Sequence, residues 1–139
     1  MILLDTNVLS ELMRPEPDVR VLHWVGEQPA ARVFTTSITQ AEILHGILLL
    51  PPGKRRQAFE EAARAMFEED FAGRVLAFGS DAALPYASIA CDRRRAGRPI
   101  SHFDAQIAAI AVANTAVVAT RNVSDFEGCG IEVVDPWGD

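Results

Sequence analysis

The first seven residues constrain this chain more than any other stretch. Ile2-Leu3-Leu4 is an apolar run with no polar alternation, the pattern of a strand covered on both faces. It ends abruptly at Asp5-Thr6-Asn7, residue types that cap helices and close turns. A strand buried on both faces belongs to an α/β sheet, and ligands of open α/β sheets gather at the carboxyl ends of such strands. An acid in that place is costly unless it is capped, paired or bound to a cation. The question is whether distant acids converge on Asp5.

The rest of the chain alternates in the same manner. Short helices are expected over 8–13, stopped by Pro15 and Pro17, and over 18–26, stopped by Gly26 and Pro29. A strand is expected at 32–35. Ser37 or Thr39 then caps a helix running to Leu50 that is apolar on nearly every side, and so is expected to be buried, against a second subunit if not within one. Residues 54–71 carry Phe59, Ala62, Ala63, Met66 and Phe67 at helical spacing. A strand follows at 75–78, a helix from Ser80 or Asp81 to Ala96, and another from Ser101 to Asn114. Strands at 116–120 and 131–134 flank a turn region at 121–130. Four or five short strands alternating with helices indicate an α/β fold with a mainly parallel sheet.

At 139 residues and 49% hydrophobic content, residues 1–139 are expected to form one domain. No apolar stretch is long enough to span a membrane, and the first residues lack the basic region and cleavage site of a signal peptide. Cys91 and Cys129 show no CxxC spacing, which argues against zinc or a disulfide framework and fits a reducing cytoplasm. A net charge of −6 argues against a general nucleic-acid coat protein. It leaves room for an enzyme whose acids are neutralised by metal ions.

Each candidate acid has a plain structural alternative. Asp5 could be an ordinary N-cap. Glu42 shares a helix face with Ile38, Gly46 and Leu49, yet Thr39-x-x-Glu42 is also a capping box. Asp104 shares a face with Ile107, Ala108 and Ala111, yet Ser101-x-x-Asp104 is also a cap pattern. Asp125 could be a turn residue. Taken as a set they say more, because Asp5, Glu42, Asp104 and Asn122/Asp125 all follow strand or loop ends that share one edge of a doubly wound sheet. Clustered carboxylates repel, so they take protons or bind divalent cations. Oxygen donors suit Mg²⁺ or Mn²⁺, and such ions support phosphodiester hydrolysis.

These stretches also resemble a known family. Ile2–Glu11, Ala41-Glu42-Ile43-Leu44-His45-Gly46, Asp104–Ala111 and Val118–Phe126, with the Pro136-Trp137 ending, are similar to the PIN domain, and more closely to VapC/FitB-type toxins of bacterial toxin–antitoxin pairs. The resemblance implies a three-layer α/β/α fold and a Mg²⁺- or Mn²⁺-dependent endoribonuclease. It implies that Asp5, Glu42 and Asp104 are the catalytic, metal-binding acids, that Thr6 and Asn7 support Asp5, and that Thr120 orders the site. The fourth metal position of the family falls at Asn122 in this chain, and Asp125 competes for it. A cognate antitoxin that blocks the acids, a homodimer and a higher toxin–antitoxin assembly are implied partners, alongside RNA and without a membrane.

Three other readings compete on the residues. An aspartyl-nucleophile phosphatase needs a second acid two residues after Asp5, where Asn7 stands, and a serine hydrolase needs a nucleophile elbow that is missing. A catalytically silent PIN-like module, binding an antitoxin and a DNA-bound partner in transcriptional regulation, would have lost Asp5 or Asp104. His45 and His102 lie near the candidate acids but are expected to pack or face solvent, as is His23. Arg93-Arg94-Arg95-Arg98 reads as a solvated helix end. That run and Lys54-Arg55-Arg56 could each hold RNA phosphates, with Arg121 the better single choice. An exposed apolar and aromatic surface is expected from residues 47–50 and 59–71.

Overall fold

The computed structural model describes residues 1–138. Strand β1 (Ile2–Leu4) is the middle of a five-stranded sheet, joined by β2 (Val33–Thr36), β3 (Val75–Leu76), β4 (Val117–Ala119) and β5 (Val133–Val134) in the order β3-β2-β1-β4-β5. Every pairing is parallel, with Ile2 opposite Val33 and Leu4 opposite Ala119. The apolar opening run behaves as its pattern requires. Leu3 points into one core with Ile107, Ile110 and Val118, whereas Ile2 and Leu4 point into the other with Val8, Leu9 and Ile43.

Those two cores define the layers. Helices α1 (Thr6–Leu12), α2 (Val19–Glu27), α3 (Ser37–Leu48) and α4 (Lys54–Ala65) supply one, and α5 (Ala83–Arg95) and α6 (His102–Asn114) the other. The result is the expected three-layer α/β/α arrangement. In α6 a run of buried small residues, Ala105, Ala108, Ala109 and Ala111, lets the helix lie close to both the sheet and α5. The helix ends on Thr115, which takes the left-handed conformation with φ 52°.

Several local expectations are corrected. Helix α3 is capped by Thr36, whose Oγ1 accepts from the Thr39 N–H at 3.1 Å. The chain turns directly out of β2 into the helix, so the cap falls before Ser37 and Thr39, and no Thr39–Glu42 capping box forms. Glu42 is thereby left for other partners. Nor is α3 buried all round in the single chain: Leu44, Leu48 and Leu49 are 40%, 57% and 71% exposed. Residues 54–71 are not one regular helix, since α4 gives way to a wider π turn at Met66–Asp70. That turn swings Met66, Phe67 and Phe71 into the core, so residues 59–71 do not form the exposed aromatic surface expected of them.

Arg93 departs furthest from its expectation. It is buried rather than solvated, and its guanidinium donates to the carbonyls of Arg98, Asp125 and Glu127 at 2.8, 2.8 and 3.0 Å. A carbonyl-lined socket satisfies a buried guanidinium without a carboxylate, and here it ties α5 to the turn after β4.

Candidate active site

The strand order reverses at β1, with β2 and β3 on one side and β4 and β5 on the other. A crevice opens beyond the carboxyl ends of strands at such a reversal. Asp5 follows β1 and Thr120 follows β4, so the two flank it. A cleft of about 560 Å³ lies there, lined by Asp5, Glu42 and Asp104 together with Asn7, Arg121 and Asn122.

Asp5 is buried and held on both oxygens. The Thr6 N–H donates to Oδ1 at 2.8 Å, and Thr120 Oγ1 and Asn7 Nδ2 donate to Oδ2 at 2.8 and 3.2 Å. It is an N-cap of α1, yet the cap uses only one oxygen. A carboxylate offers roughly four acceptor directions; three are filled from the protein, which leaves one toward the cleft. Thr120 is saturated in turn, because its hydroxyl also accepts from Asn7 Nδ2 and the Asn122 N–H, both at 3.1 Å. Asn7 completes the lattice by accepting the Arg121 N–H on Oδ1 at 3.1 Å.

Glu42 enters from α3 and is fixed by Thr6, whose hydroxyl lies 2.8 Å from Oε1. Asp104 enters from the first turn of α6. Its N–H donates to Ser101 Oγ at 3.1 Å, so the cap pattern read in the sequence is real, while its side chain still faces the cleft.

Burial is the main reason that all three carboxyls sit above their ordinary range. Their mutual charge adds to it: Glu42 raises Asp5, Asp104 raises Glu42, and Asp5 and Asp125 raise Asp104. Hydrogen bonds from Thr120, Thr6 and Asn7 pull Asp5 back toward ionisation, and the Ser101 side chain and then the Arg93 charge do the same for Asp104.

The remaining candidates separate. Asn122 lines the cleft, whereas Asp125 is exposed, is absent from the lining and acts on Asp104 only through its charge. His45 and His102 do not line the cleft; His102 Nδ1 instead bonds Tyr86 Oη at 2.8 Å. Glu11, Arg14 and Trp137 line it unanticipated. Glu11 and Arg14 follow Asn7 at i+4 and i+7, a shared helix face visible in the sequence. Trp137 comes from a tail that no local pattern connects to β1.

The donor set fits a hard divalent ion. Every donor is an oxygen, and hydrated Mg²⁺ asks for only one or two carboxylates. Among the described residues no three His, Cys, Asp or Glu side chains are grouped closely enough to hold a metal ion together; an ion here would take one or two of the carboxylates and fill its other positions with water.

Comparison with known proteins agrees with this fold. Residues 2–127 match the family model of the PIN domain. The chain is 42% identical to the VapC ribonuclease Y4jK of Sinorhizobium fredii, over 99% of this chain and 98% of that one. It is 38% identical to toxin FitB of Neisseria gonorrhoeae over the full length of both. A solved FitAB complex bound to an IR36 DNA fragment superimposes with a TM-score of 0.93 at 37% identity, covering 100% of this chain and 97% of that one. With a matching family model over most of its length and relatives at this identity, the chain belongs to the PIN domain family, among its VapC/FitB-type members.

Proposed function

We propose that this protein is a Mg²⁺- or Mn²⁺-dependent endoribonuclease, the toxin of a toxin–antitoxin pair acting in the cytoplasm as a single domain over residues 1–139. One observation carries the reading. Acids from three separate elements, Asp5, Glu42 and Asp104, line one cleft at the strand-order reversal, and they repel one another there at the expense of their own ionisation. The ribonuclease names of its relatives point the same way.

Asp5, Glu42 and Asp104 would hold the ion, with Asn122 rather than Asp125 as the oxygen donor at the fourth position. Binding of Mg²⁺ or Mn²⁺ there would supply positive charge against the phosphodiester and a more acidic water. Thr120, Asn7 and the Thr6 N–H keep the Asp5 carboxylate fixed in one orientation, Thr6 Oγ1 does so for Glu42, and Arg121 meets the RNA backbone.

A second pocket of about 270 Å³ adjoins the cleft through Thr6, Ser10 and Glu42, and it is apolar where Met13, Ile43, Ile47 and Phe59 line it. An antitoxin segment laid in this groove would reach the acids and block them. The exposed Leu44 and Leu48 of α3, with Leu49 just after it, suit a homodimer, and the DNA-bound FitAB complex suggests a larger assembly on DNA.

Cleavage of a mixed RNA pool by antitoxin-free protein tests the proposal, with Mg²⁺, with Mn²⁺ and with EDTA, beside Asp5→Asn and Asp104→Asn. Cutting that needs the metal and disappears in both variants supports it. Cutting that persists in both variants or in EDTA overturns the assignment.

A further inference from the structure

An acidic cleft that takes a polyanion needs fixed positive charge beside the acids, and the sequence offers two basic runs for that task. Neither run lines the acid cleft. Arg93 is buried in its carbonyl socket, and Arg98 pairs with Glu127 at 3.0 Å. Arg56 pairs with Glu60 at 2.8 Å, and Arg55 lies over the Phe59 ring beside the apolar groove. The cations that do line the acid cleft, among the described residues, are Arg14 and Arg121, far apart in sequence and in neither run.

Each is built into the site. Arg121 has its backbone N–H on Asn7 Oδ1 at 3.1 Å, one residue pair from Asp5, and its guanidinium lies 5.1 Å from the centroid of the Trp137 ring. Trp137 is itself buried and fixed, with its N–H on Asp135 Oδ1 at 2.9 Å and its carbonyl accepting from Arg20 at 2.8 Å. The ring face attracts the guanidinium charge, and an arginine held in this way can still donate its N–H groups to an anion. Arg14 is anchored by one nitrogen, Nη1, which lies 3.3 Å from both oxygens of the buried Glu11. Glu11 is pinned by the Asp18 N–H at 3.0 Å. Arg14 remains 66% exposed.

We infer that Arg14 and Arg121 form a phosphate clamp on the rim of the acid cleft, gripping the backbone of single-stranded RNA beside the bond to be cut. The clamp presupposes the ribonuclease reading above and adds the direction of the strand's path. The RNA runs over the α1 and Trp137 side of the cleft, away from the apolar groove between α3 and α4. The grip is sequence-independent, since phosphates carry no base identity.

Anisotropy of a fluorescein-labelled random-sequence oligoribonucleotide tests it, titrated in EDTA at several salt concentrations. Each phosphate contact to a single strand contributes about 0.7 to the slope of log K against log salt. Arg14→Gln and Arg121→Gln should each lower the slope by about 0.7, and the pair by about 1.4. Arg121→Lys should keep the slope, and Arg94→Gln, at the C-terminal end of α5 and outside the cleft lining, should leave it unchanged. Should Arg121→Gln fail to fold by circular dichroism, Arg14→Gln alone decides, because it leaves the tryptophan stack intact. A wild-type slope in Arg14→Gln, in a protein that still cuts RNA, overturns the clamp and spares the nuclease. A wild type that neither binds nor cuts RNA with any metal removes both.

Discussion

Thr6 Oγ1 lies 2.8 Å from Glu42 Oε1, so the residue that follows Asp5 in the chain holds the carboxylate that α3 contributes. The same hydroxyl lies 3.1 Å from Thr39 Oγ1. A hydroxyl has one proton, and the carboxylate has the stronger claim on it. Thr39 therefore donates to Thr6, and Thr6 to Glu42. Thr6→Val keeps the shape and removes the donor. RNA cleavage should fall about 10- to 100-fold, and Thr6→Ser should restore most of it. Initial rates at saturating Mg²⁺ measure this, and an unimpaired Thr6→Val would mean that Glu42 does not depend on this bond.

The acid cluster should make metal-free stability depend on pH in an uncommon direction. Asp5, Glu42 and Asp104 are all raised in the folded protein, so just above the ordinary carboxylate range the folded state holds more protons than the unfolded chain. Their contribution to stability then decreases as pH rises through that window. In EDTA, Asp104→Asn should melt higher than wild type at pH 7, with the difference shrinking toward pH 4. Added Mg²⁺ or Mn²⁺ should raise the wild-type Tm more at pH 7 than at pH 5. Calorimetry across that range checks both, and equal melting of variant and wild type at pH 7 would show that the charges are not strained.

Arg93 predicts a large structural cost from a residue within a run of arginines. Arg93→Met would leave the carbonyls of Arg98, Asp125 and Glu127 without their donor. The expected loss is about 3 kcal/mol, seen as a Tm drop of roughly 10 °C. Arg94→Met, at the exposed neighbouring position, should stay within about 0.5 kcal/mol of wild type. Urea melts of the two variants side by side distinguish the socket from a solvated helix end.

Thr115 is a β-branched residue in left-handed conformation at the end of α6, with φ 52°. That conformation favours glycine or asparagine. Thr115→Gly should stabilise the protein by about 0.5–1 kcal/mol, net of the flexibility that glycine adds to the unfolded chain. A lowered Tm would indicate that the threonine side chain makes a contact worth more than the strain.

What the sequence disclosed and what it hid divide along a physical line. The buried opening strand, the α/β alternation, Asp5 at the strand end and Asp104 one turn into α6 rest on local patterns, and the structure places all of them so. Glu42 reads equally as a cap and as a site because Thr39 is a plausible capping residue; only the turn geometry at Thr36 shows that the cap falls three residues earlier. Arg93 reads as part of a solvated helix end because it stands in a run of arginines, and two of the three carbonyls that receive it come from a turn more than thirty residues on. The partnership of Arg121 with Trp137 was invisible for the same reason. Long-range polar contacts leave no periodicity.

The order of strands also has a bearing on when such a chain becomes dangerous to the cell that makes it, if it cuts RNA. Asp5 leaves the ribosome almost at once, but its neighbours in the sheet are β2 and β4, and Thr120, which fixes its carboxylate, comes 115 residues later. Parallel pairing across such separations forms late. No nascent fragment that stops short of β4 has the cleft, so synthesis itself delays the activity. A binding partner has that interval in which to meet the chain before its three acids are gathered.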